Sequence, residues 1–109
     1  MKTKLIDITE VIRSKNAGPY ELTFDIMFRD YDWFEKVCRA KVIDEQLVCN
    51  IFKIQREDII KIVEFHPAKA IKITIKRPIP SGNLGETDVY GAQQHAPLLG
   101  LEFDLTNYK

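Results

Sequence analysis

The 109-residue chain has two cysteines, two histidines, one tryptophan and no surplus of either charge, with sixteen basic residues against sixteen acidic ones. Each shortage excludes something. Without a net charge the domain as a whole lacks the electrostatic footprint of a binder of nucleic acid or of anionic membranes. Cys38 and Cys49 fall in a stretch that reads as helical, and two such residues fit packing thiols in a reducing compartment better than a disulfide framework. His66 stands before the hairpin proline and His95 near the opposite end of the sheet, and a strand of about eight residues spans roughly 26 Å, so no shared metal ion is expected. No run of about 18 apolar residues occurs, and Asp7 and Glu10 interrupt the apolar core that a signal peptide would need, which points to the cytoplasm. Neither a Walker-type loop nor a GxGxxG pattern is present, so no nucleotide cofactor is expected.

What remains is a sequence patterned for one α+β domain over residues 1–109, long enough to bury roughly 65% of its extended-chain surface. The strongest strand signal is residues 20–28, where Leu22, Phe24, Ile26 and Phe28 alternate with Thr23, Asp25 and Met27. Directly before it, Arg13-Ser14-Lys15-Asn16-Ala17-Gly18-Pro19 reads as a polar, basic turn, because Asn16 and Gly18 tolerate positive φ and Pro19 biases Gly18 away from the helical region. Residues 4–12 read equally well as a short strand or as one helical turn behind Thr9. Asp30 or Asp32 can cap a helix that buries Trp33, Phe34, Val37 and Cys38, and Asp44 a second one with Leu47, Val48, Ile51 and Phe52 on its apolar stripe. Residues 59–66 are rich in β-branched side chains, residues 67–69 suit a hairpin turn, and Ile71, Ile73 and Ile75 alternate with Lys72, Thr74 and Lys76. Residues 78–85 are dense in breakers and form a loop. A short helix within residues 91–99 and a last strand at Leu101, Phe103 and Leu105 complete the pattern.

The order β-α-β-β-α-β, with one-sided strands, predicts a ferredoxin-like fold: an antiparallel sheet with helices on one face. In that topology the first and third strands lie side by side and antiparallel. One end of the sheet would then gather Arg13, Ser14, Lys15, Asn16, Arg77, Asp88, Gln93, Gln94 and His95 beside a helix N-terminus, a set suited to a carboxylate or phosphate. The alternative is a pair of structural loops in which Arg13 pairs with Asp88 and the glutamines cap turns. On the other sheet face, Asp25 is expected opposite or diagonal to Lys72, Thr74 or Lys76. That face lacks the stacking aromatics of an RNA-binding sheet and suits cross-strand ion pairs or another protein.

Three stretches carry a family resemblance: Arg13 through Pro19, the run Ile71-Lys72-Ile73-Thr74-Ile75-Lys76-Arg77-Pro78, and the run Asp88-Val89-Tyr90-Gly91-Ala92-Gln93-Gln94-His95-Ala96-Pro97-Leu98-Leu99. Through them the chain resembles a family of small bacterial proteins of unknown function associated with AtuA, the acyclic-terpene-utilisation protein. The resemblance implies a free-standing relative of the ferredoxin-fold domain that ends many AtuA-type proteins. There an Arg-Ser-Gly-Asp-Lys-Gly stretch occupies the place of residues 13–18, and an Asp-x-x-Gly stretch that of residues 88–91; here Lys15 stands for Gly and Asn16 for Asp. What this implies is an accessory or half-site subunit for an AtuA-type partner in bacterial catabolism of acyclic terpenoid or other organic acid or acyl-CoA compounds. The alternative is a self-contained small enzyme or small-molecule binder acting as a homo-oligomer.

Overall fold

The computed structural model describes residues 2–18, 20–76 and 96–105. Among them the elements follow in the order β1 (Thr3–Lys4), α1 (Leu5–Ile8), β2 (Thr9–Asn16), β3 (Glu21–Phe28), α2 (Tyr31–Ala40), α3 (Glu45–Phe52), β4 (Ile59–Phe65), β5 (Ala70–Lys76) and β6 (Glu102–Phe103). The chain is thus α+β with antiparallel sheets, as its patterning predicts. A four-stranded sheet has the order β2-β3-β5-β4, and a separate two-stranded sheet pairs β1 with β6.

The central pair is the expected one: β3 and β5 are antiparallel neighbours, with Asp25 opposite Lys72 and Phe24 opposite Ile73. The outer place beside β3 is different. A ferredoxin-like order assigns it to the last strand, but β2 holds it, and β6 lies against β1. Residues 13–16 are therefore the end of a strand and not a turn. The turn itself is shorter, with Ala17 N donating to Glu21 O at 3.0 Å and Gly18 at φ 128°, a conformation that suits glycine. A tight hairpin closes at little entropic cost, so the adjacent segment reaches this edge more readily than one 80 residues away. The ambiguous residues before it take the opposite of each expected form. Leu5–Ile8, whose apolar residues suit a short strand, make the single helical turn, and the residues from Thr9 to Ile12, expected as a helical turn, open β2, with the Thr9 hydroxyl donating to Leu5 O at 2.9 Å.

Capping fixes the helices. Asp30 accepts from Trp33 N and Asp44 from Leu47 N, each at 2.9 Å, which satisfies backbone donors that the first turn leaves unpaired. Lys41 and Lys53 end the helices in the left-handed region, and Lys69 does the same for the turn between β4 and β5. Both helices contribute to one apolar layer on a single sheet face. Leu22, Phe24, Ile26 and Phe28 of β3 and Ile71, Ile73 and Ile75 of β5 are buried there with Phe34, Val37 and Val48. Trp33, Leu47, Ile51 and Leu101, expected in the core, pack at its margin. Phe24 stacks on Phe52 with centroids 4.4 Å apart, and Phe34 meets the His66 ring edge-on at 5.0 Å.

Candidate functional site

The opposite face of the four-stranded sheet carries the charge. Residues directly across an antiparallel ladder share a face, so the register aligns Arg13, Asp25, Lys72 and Val63 in one row across all four strands. The next row is Lys15, Thr23, Thr74 and Lys61, and Glu21 faces Lys76 beyond it. Toward the other end lie Val11, Met27, Ala70 and Phe65. Five cations (Arg13, Lys15, Lys61, Lys72, Lys76) thus share this face with two acids (Glu21, Asp25), a basic surplus on a chain with no net charge.

Asp25 sits at the centre and is 1% exposed. Sequence alternation alone places it on a wet face; the long side chains beside it cover it instead, their apolar stems lying on the sheet and their heads reaching water. Arg13 Nε donates to its Oδ2 at 3.0 Å, and Lys72 Nζ stands 3.5 Å from Oδ1. That Oδ1 is buried and has no hydrogen bond, so its compensation is the lysine charge at the long end of ion-pair range. Lys72 also lies over the Phe65 ring, 5.1 Å from its centroid, and the hydroxyls of Thr23 and Thr74 share a hydrogen bond at 3.3 Å. The expected neighbourhood of Asp25 and Lys72 is present.

The predicted loop cluster divides between the two faces. Arg13 and Lys15 point to the charged side and are exposed; Ser14 and Asn16 pair opposite Phe24 and Leu22 on the helix side, Ser14 being buried. Arg13 meets Asp25 on the neighbouring strand. Arg77, Asp88, Gln93, Gln94 and His95 lie outside the described residues. Among the described residues no group of three or more His, Cys, Asp and Glu side chains could hold a metal, and no helix is long and apolar enough to cross a membrane.

A cleft of about 600 Å³ lies elsewhere, between α2, the start of α3 and β4, and none of Arg13, Ser14, Lys15 and Asn16 lines it. Val37, Ile43, Ile62 and Ile71 form its apolar wall, with Cys38, Lys41, Asp44, Glu45 and Glu64 around them. Burial first, then the Glu64 carboxylate that accepts its hydrogen bond, then the charges of Glu64 and Glu35 push the Cys38 thiol up to about 12. A thiol so held stays protonated near neutrality, and Cys38 packs against the core, in keeping with its expected role. The sequence does not announce this cleft, because its walls come from three separated segments.

The fold and its charged face define a small α+β domain whose polar chemistry is displayed on one side of an antiparallel sheet. The chain belongs to the family described as Domain of unknown function (DUF4387), whose profile matches residues 5–102. No curated protein and no solved structure matches it at a significant level.

Proposed function

We propose that the protein is an accessory, binding subunit that associates with an AtuA-type partner in bacterial catabolism of acyclic terpenoid or other organic acid or acyl-CoA compounds, and that its charged sheet face supplies the anion-binding surface. The observation that carries this reading is the Arg13–Asp25–Lys72 row. A buried carboxylate anchored from both sides holds two cations in fixed positions, and Arg13 remains 52% exposed while so held. Lys15, Lys61 and Lys76 enlarge the positive field around them. Kinship with the ferredoxin-like domain that ends AtuA-type proteins is supported by the antiparallel β3-β5-β4 core and by the helical crossover from β3 to β4.

The test is co-expression with the AtuA-type protein of the same organism, followed by calorimetry of the purified pair. Lys15→Glu combined with Lys76→Glu avoids the Asp25 contacts and should weaken association about tenfold or more, a loss that deepens at low salt. Absence of a complex, together with ligand binding by a homo-oligomer of this chain alone, would favour the self-contained small-molecule binder instead.

A further inference from the structure

The other edge of the sheet belongs to β4, whose ladder partner among the described residues is β5 alone. Its seven residues, Ile-Ile-Lys-Ile-Val-Glu-Phe, leave a row of backbone N–H and C=O groups facing outward. Natural edges are usually short, covered or heavily charged. This one keeps Ile60, Val63 and Phe65 exposed, at 43%, 37% and 42%. Along its helix side runs the 600 Å³ cleft, and a second groove of about 290 Å³ lies beside Glu45, Ile59, Ile60 and Ile62. An open strand beside hollows that can take alternate side chains is the arrangement by which an extended segment adds to a sheet.

We propose that β4 is a strand-addition site for an extended segment of a partner protein that carries a Lys or Arg between apolar residues at its cleft-facing positions. Charge decides the occupant. The cleft has Asp44, Glu45 and Glu64 against Lys41. Glu45 also pairs with Arg56 at 3.5 Å and Asp44 caps α3, which leaves Glu64, on β4 itself, as the carboxylate a guest cation would meet. A second copy joined β4 to β4 about a two-fold axis must match residues of the same face, and its Glu64 would then enter a cleft that already holds three carboxylates. A guest cation at that position neutralises the surplus, and its apolar neighbours meet Ile43, Ile62 and Ile71. Main-chain pairing supplies affinity, and the cleft supplies selectivity. The cleft lies on the helix side, opposite the charged sheet face, and Lys15→Glu with Lys76→Glu, which alters β2 and β5 but not β4, should leave strand addition untouched, so the two proposals can fail independently.

The experiment titrates ¹⁵N-labelled full-length protein with the capped heptapeptide Thr-Leu-Thr-Lys-Thr-Leu-Thr, followed by amide shifts and hydrogen exchange. Alternate amides within residues 60–65 should gain protection on binding. Replacing the peptide lysine by glutamate, or Glu64→Gln in the protein, should weaken binding about tenfold. Unchanged β4 amides at millimolar peptide, or equal binding of the lysine and glutamate peptides, overturns the proposal. Peptide-independent protection of β4 that rises with protein concentration, together with a dimer mass in sedimentation, overturns it in favour of a second copy.

Discussion

Asp25 keeps its place at 1% exposure because cations from both neighbouring strands reach it, and the two sides of this contact are not equivalent. Removing the acid leaves Arg13 and Lys72 free to turn into water, whereas removing both cations strands a carboxylate that cannot. Arg13→Met with Lys72→Met, which keeps the covering stems and removes both charges, should therefore cost about 3–5 kcal/mol, and Asp25→Asn distinctly less, as measured by urea unfolding at pH 7. Equal costs would mean that the row is ordinary surface pairing. Cys38 gives the second residue-scale expectation. Its folded thiol is raised above the ordinary value of 9.0 to about 12, so the unfolded chain ionises first. The stability this contributes is intact below about pH 9 and is lost as pH rises from there toward 12. Unfolding curves between pH 8 and 11 should fall less steeply for Cys38→Ala than for the unaltered chain.

At the level of elements, what could be read in advance depended on whether burial shows itself as a period. β3 and β5 alternate bulky apolar residues with polar ones because one side of each faces the helices, and the register follows the pattern. The helix starts were legible because an aspartate cap leaves a local mark, at Asp30 and at Asp44. β2 hid for the opposite reason. Its helix-facing positions are Ile12, Ser14 and Asn16 and its other side is Arg13 and Lys15, so an edge strand with one large apolar residue there has the composition of a loop. Once Arg13 is taken for a turn residue, its partner is sought in another loop, and Asp88 is the acid at hand. Among the described residues its partner stands twelve residues on, directly across the hairpin, and Asp88 lies outside them. The burial of Asp25 was illegible for a related reason: alternation assigns a face, but what covers that face depends on neighbouring strands. The cleft beside β4 arises only when α2, α3 and the sheet edge are assembled.

The molecule closes on itself through its two outer segments. Leu5 and Ile8, before the main sheet, and Leu98, Phe103 and Leu105, after it, belong to the same buried cluster as Phe24 and Val37. Leu5 N donates to Leu101 O at 2.9 Å, and Thr3 faces Phe103 across the small sheet. The family profile, from residue 5 to residue 102, takes in α1 and the main sheet and runs into β6. A core that draws on both segments should unfold in one cooperative step. Leu5 is fully buried, so Leu5→Ala should cost about 2–5 kcal/mol and lower Tm by about 4–8 °C for each kcal/mol lost. The sole tryptophan, Trp33, lies on α2 and packs against the same core, so its fluorescence reports on the helix layer, while far-ultraviolet ellipticity reports on all elements. If the core is one unit, both probes should move together in Leu5→Ala, by the same number of degrees. A tryptophan transition that stayed at the unaltered temperature while ellipticity was lost earlier would show that the β1–β6 layer melts by itself. The small sheet would then be an appendage to a core made by the four-stranded sheet and its helices.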